Sequence, residues 1–128
     1  MRTYDVAIAS LAIDAPLRWT DNLLSQYDVA HVVSVRRGVA RRIPHTALLL
    51  LALTRELHVE CGMSVREALE LARQLLSGDE GSLVARGHVR ITYDRSTLQR
   101  TLDRRLREAL ESAPSPRRGR PPLRGREA

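Results

Sequence analysis

Val6-Ala7-Ile8-Ala9-Ser10-Leu11-Ala12-Ile13-Asp14-Ala15-Pro16-Leu17-Arg18-Trp19 is the stretch on which the reading of the chain turns. Val6, Ala7, Ala9, Leu11 and Ala12 predict a short helix. Asp14-Ala15-Pro16 then opens a second one, because the fixed φ and missing N–H of proline suit a first helical turn. That second helix runs to about Ser25. Leu17, Leu23 and Leu24 are expected to face the core, leaving Arg18, Asp21 and Asn22 to solvent or a ligand.

Downstream, Val32-Val33-Ser34-Val35-Arg36-Arg37-Gly38-Val39-Ala40-Arg41-Arg42-Ile43 sets two β-prone runs around a turn containing Gly38, which predicts a hairpin with an arginine-rich tip. Pro44 suits the first turn of a helix carrying Leu48, Leu49, Leu50, Leu51, Leu53 and Leu57, apolar nearly all round at its start and so central to the core. Gly62 stops it. Ser64 and Glu67 form a capping box for a further helix with Val65, Ala68, Leu69, Ala72, Leu75 and Leu76 along one face, ending before Gly78.

After a glycine-containing loop, Val89, Ile91 and Tyr93 alternate with His88, Arg90 and Thr92, a strand pattern. Asp94 or Ser96 then caps a last helix striped by Leu98, Leu102, Leu106, Ala109 and Leu110. This stripe packs on the domain or pairs with a second copy. The expected architecture is mainly α with a small β-hairpin wing, a winged helix-turn-helix. It divides into a helix-turn-helix domain over 1–77, a strand-plus-helix packing or dimerisation segment over 78–113, and a disordered basic tail over 114–128.

The chain has 128 residues, 43% hydrophobic and 28% charged, enough apolar material for one domain and too little length for a multidomain enzyme. There is no Phe and the aromatics are Trp19, Tyr4, Tyr27 and Tyr93, so the core is aliphatic. The longest charge-free stretch, 43–54, is short of the roughly 18–20 apolar residues that cross a bilayer, and no secretory segment follows Met1, so a cytoplasmic, nucleoid-associated protein without membrane contact is expected.

Every one of the 21 basic side chains is Arg, and the formal net charge is +6. That balance points to a polyanionic partner. Its distribution says more than its sum: 29–55 hold Arg36, Arg37, Arg41, Arg42 and Arg55 with no acid, and 113–128 hold five Arg against Glu127. Charge runs are usually solvated faces, but runs free of acids favour an anion.

The order helix, turn, helix with Leu17-Arg18-Trp19, arginine-bearing hairpin, then Gly62-Met63-Ser64-Val65-Arg66-Glu67-Ala68 resembles the MerR family of bacterial transcription regulators over about residues 5–76. In that family the second helix carries Leu-Arg-Tyr-Tyr/Trp, the wing Gly-Tyr-Arg-x-Tyr, and the fourth helix follows Gly-Phe/Val-Ser-Leu-x-Glu-Ile. The resemblance implies double-stranded DNA as partner, with Arg18 and Trp19 at its backbone and Arg41 reaching phosphate. The wing departs from the motif: Gly38 and Arg41 stand one residue further apart, and Ile43 replaces the closing Tyr. The break at Ser77-Gly78-Asp79 replaces the long dimerisation helix, so the family's effector sensing and its usual dimer do not carry over, and a homodimer stays an open possibility.

The tail contains Arg118-Gly119-Arg120-Pro121, which resembles in part the AT-hook core that lies in a narrow minor groove, with Arg117 where many hooks have Pro. It reads either as such an insertion or as a nonspecific basic arm. Arg18 has a structural alternative as partner of Asp14 or Asp21 on the same helix face, and Trp19 one as partly core. His31, His45, His58 and His88 form no ligand pair, and Cys61 reads as a small buried hydrophobe, so neither metal nor cofactor is expected. No phosphate-cradling loop, nucleophile elbow or carboxylate pair points to catalysis.

Taken together, the expected function is a DNA-binding transcriptional regulator or architectural factor, a class that includes phage-type excision factors with compact winged domains. Its candidate contacts are Arg18, Trp19, Arg36, Arg37, Arg41, Arg42, Arg117, Arg118, Gly119, Arg120 and Pro121. The alternative is a protein-interaction module, such as an antitoxin or adaptor, whose last helix binds a partner while the arginines maintain solubility.

Overall fold

A computed structural model describes residues 2–32, 41–78 and 83–112. Among them the chain is mainly helical, with two short antiparallel strand pairs. β1 (Thr3–Tyr4) leads into α1 (Val6–Ala12), whose start is capped by Asp5: its Oδ1 accepts the Ile8 N–H at 2.8 Å. The Ile13 N–H closes α1 on the Ala9 carbonyl at 3.0 Å, and Asp14 then takes a left-handed φ of 58°. A short polar side chain tolerates that conformation better than most. Pro16 stands as N-cap just before α2 (Leu17–Gln26), one position earlier than a first-turn proline.

β2 (Ile43–Pro44) pairs antiparallel with β1, Tyr4 opposite Ile43 and Thr3 opposite Pro44. Most of the expected arginine-tipped hairpin, 33–40, lies outside the described residues. Of its flanks, Ile43 has the amino-terminal strand as partner, and Val32 closes a turn on the Val29 carbonyl at 3.2 Å. A two-residue strand has no alternation to display, which is why β1 left no signal in the sequence.

α3 (His45–Cys61) is the central element, burying Ala47, Leu48, Leu49, Leu51, Ala52, Leu53, Thr54 and Leu57. Leu48, Leu49, Leu51 and Ala52 join the cluster with α1, α2 and α5, while Leu53 and Leu57 join a second cluster with the next helix. Each fully buried leucine stabilises by about 1.5–3 kcal/mol relative to exposure. Gly62 ends α3 at φ 72°, the left-handed C-cap conformation that glycine takes without a Cβ penalty.

The Ser64 Oγ accepts the Glu67 N–H at 3.2 Å and starts α4 (Val65–Ser77), as the capping box predicts. β3 (Val84–Arg86) and β4 (Val89–Ile91) form a hairpin about Gly87, at φ 61°. Only the second of these strands is legible in the sequence. Its alternation also misleads: Ile91 and Tyr93 pack on the second cluster, but Val89 is 59% exposed because the tip reaches past the core.

α5 (Arg95–Ser112) is capped by Asp94, which accepts the Thr97 N–H at 3.1 Å. Leu102, Leu106 and Ala109 are buried, and Leu102 and Leu106 share a cluster with Tyr4, Ala9, Ala12 and Leu51. The small side chains of Ala9 and Ala12 let α5 lie close against α1. The C-terminal stripe is thus spent within the chain.

Candidate nucleic-acid interface

Three α2 residues fix how this helix is set into the protein. Thr20, Leu23 and Leu24 are buried, at the spacing of one helix face. Leu17, expected among them, is 56% exposed: the buried face begins one turn later, at Thr20, and the first turn extends beyond the core. Arg18 beside it is exposed as well.

Neither acid that the sequence offers to Arg18 is held by it. Asp14 faces Arg105 of α5 at 4.0 Å, and Asp21 faces Arg41 at 2.7 Å. Arg18 has no ion pair among the described residues, so a free guanidinium stands at the open first turn of α2.

Trp19 sits differently. Its ring stacks on His58 at 5.9 Å between centroids, and the Arg55 guanidinium lies 4.9 Å from its centroid on the other contact. The indole Nε1 is buried with no hydrogen-bond partner among the described residues, so in this geometry it does not reach a phosphate. Trp19 anchors α2 to α3. His58 is held in turn by a 2.7 Å hydrogen bond from Nδ1 to the Met63 carbonyl, and Arg55 Nε donates to the Asp14 carbonyl at 3.3 Å. Arg55 and Arg105 therefore clasp the left-handed turn leading into α2, one at its carbonyl and one at its carboxylate.

Of the hairpin arginines, Arg41 donates to Asp21 and, at 3.0 Å, to the Ser25 Oγ, both on α2. Arg42 donates through Nε and Nη2 to the Thr3 hydroxyl and carbonyl, at 3.0 and 3.1 Å. Both are partly engaged inside the chain while remaining at its surface. Arg2, whose guanidinium lies 5.4 Å from the Tyr4 ring centroid, is an exposed basic neighbour of that contact. Arg36, Arg37, Arg117, Arg118, Gly119, Arg120 and Pro121 lie outside the described residues.

Sequence reasoning missed Arg55, Arg105 and Arg2 as parts of this region. Arg55 shows in the sequence as a member of an acid-free basic run, but its contact with Trp19 depends on how α2 and α3 cross. Cys61 corrects another expectation: it is exposed although it shares a helix face with buried Leu57 one turn earlier, because the end of α3, with Val59, Glu60 and Gly62 also exposed, runs past the core. An open groove of about 550 Å³ lies between the turn into α2, the outer face of α3 and the start of α5, bordered by Asp14, Arg55, Glu60, Tyr93, Thr101 and Arg105 among others.

No group of three or more metal-ligating side chains converges among the described residues, and no helix among them is long and apolar enough to cross a membrane. Comparison with protein-family models, with curated proteins and with solved structures finds no match to this chain.

Proposed function

We propose that this chain is a small bacterial DNA-binding protein, a transcriptional regulator or DNA-architectural factor with a MerR-like winged helix-turn-helix. The first turn of α2 enters the major groove, the arginine-bearing segment through Arg36, Arg37, Arg41 and Arg42 lies along the flanking backbone, and the basic tail adds a further arm. One observation carries the reading: Arg18 is exposed and unpaired at the open end of α2, while the acids nearest in sequence, Asp14 and Asp21, are both occupied by other arginines. A solvated structural arginine has no need of that arrangement. The net charge of +6 supports the same partner.

The interaction-module alternative relied on the leucine stripe of the last helix, and Leu102 and Leu106 are already covered by α1 and α3. Titration of a fluorescent random-sequence duplex across a salt series tests the proposal. Affinity is expected to fall steeply with salt, and Arg18→Ala to weaken it about tenfold while lowering the log–log salt slope by about 0.9. Salt-independent binding, or an unchanged slope in the variant, overturns it.

A further inference from the structure

We infer that the β3–β4 hairpin is a second cationic ribbon that enters a groove of duplex DNA and holds phosphates on both of its walls, through Arg86 and Arg90. This rests on the DNA-binding reading above and adds to it an element that neither the helix pair nor the basic runs at 29–55 and 113–128 contain.

Charge singles the hairpin out. Between Glu80 and Asp94 the sequence has no acid, yet it carries Arg86, His88 and Arg90. In α4 and α5 arginines are interspersed with acids and several are engaged: Arg104 with Glu108 at 3.6 Å, Arg105 with Asp14, and Arg73 with the Asp28 carbonyl. Arg86 and Arg90 are exposed, and their side chains have no ion pair or hydrogen-bond partner among the described residues.

Shape agrees with charge. The register sets Arg86 opposite Val89 and Ala85 opposite Arg90. Directly opposed residues share a face of a ribbon and successive pairs alternate, so the two guanidinium groups leave opposite faces. A major groove about 12 Å wide accepts a two-stranded ribbon, and arginines on its two faces then reach opposite sugar–phosphate walls. The tip between them is slender, Gly87 and His88, with Ala85 beside it. From Tyr93 at its foot to Gly87 the hairpin extends roughly 20 Å, at about 3.3 Å per residue. That foot and Asp14, in the turn leading into α2, border the same groove.

Arginines also guard the open edges of a two-stranded sheet against self-pairing, and the test separates the two roles. Full-length Arg86→Ala/Arg90→Ala and wild type are titrated with a 25-base-pair random-sequence duplex over a salt series. Sedimentation and thermal unfolding run in parallel, with Arg86→Lys/Arg90→Lys as a charge-retaining second variant. The expected result is a salt slope smaller by about 1.8, an affinity lower by about tenfold or more at low salt, and recovery in the lysine variant. Arg104→Ala/Arg107→Ala, which removes the same charge from α5, should leave binding much closer to wild type.

An alanine variant that self-associates yet keeps wild-type affinity and slope overturns the inference in favour of edge protection. Equal losses from both alanine pairs overturn it as mere net charge. Wild type that fails to bind duplex removes the proposed function itself, whereas wild-type binding sensitive to Arg18→Ala but indifferent to the hairpin removes this inference alone.

Discussion

Arg41 Nη1 stands 2.7 Å from Asp21 Oδ1, joining the segment just before β2 to the exposed face of α2. With its second nitrogen on Ser25, this arginine spans one turn of the helix. The pair is partly exposed, so it contributes only about 0.2–1 kcal/mol to stability. Its larger effect is on charge: it holds an arginine against α2 and keeps an acid within the surface proposed to meet DNA.

Asp21→Asn removes that acid and loosens Arg41. Duplex affinity is expected to rise several-fold and the salt slope to steepen by up to about 0.9, as one more cation becomes available to phosphate. Unfolding free energy should change by less than about 1 kcal/mol. Anisotropy titrations and urea unfolding of the same variant measure both, and a loss of affinity would place Arg41 in a purely structural role.

Arg55→Ala leaves the Asp14 carbonyl without its donor and uncovers the Trp19 ring. A cation–π contact contributes about 0.5–2 kcal/mol and a hydrogen bond about 1 kcal/mol, so a destabilisation of about 1–2 kcal/mol is expected, with Arg55→Lys recovering part of it. Tryptophan fluorescence during chemical unfolding reads the change directly, since Trp19 is the sole tryptophan.

Leu102→Ala removes a buried side chain between α5 and the body of the protein and should cost about 2–5 kcal/mol, through lost transfer energy and the cavity left behind. Leu110→Asp, at a position 36% exposed on the same helix, should cost far less, within about 0.5 kcal/mol. Similar, small effects at both positions in urea unfolding would mean that the stripe is not packed internally.

The Asp94 carboxyl is held below its ordinary value of 3.8 by hydrogen bonds from the Thr97 hydroxyl and N–H, with Arg100 adding to the effect. A lowered folded-state value means that the ionised form stabilises the fold. That contribution is complete above the unfolded value of 3.8 and is lost as the pH falls through the lowered folded value. The gap in melting temperature between wild type and Asp94→Ala should therefore be constant from pH 5 to 7 and narrow below about pH 4. A gap that widened in acid would contradict this sign.

Local chemistry made much of the architecture legible in the chain. Gly62 stops α3 and Ser64 starts α4, because a left-handed φ and a capping hydroxyl are properties of single residues. The leucines of α3 read as central because an apolar helix has no face to spare for water. The partner of Ile43, the exposure of Leu17, the seat of Trp19 between Arg55 and His58, and the first strand of the 84–91 hairpin were not legible. Each depends on elements far apart in sequence meeting at a particular angle, which periodicity within one segment does not encode. The same holds for charge. Composition alone establishes a cationic protein, but only the packing of α5 on α1, and of the segment before β2 on α2, decides that Asp14 and Asp21 pair with Arg105 and Arg41 and leave Arg18 bare. Ion pairing acts over a few ångströms of space, whatever the distance along the chain.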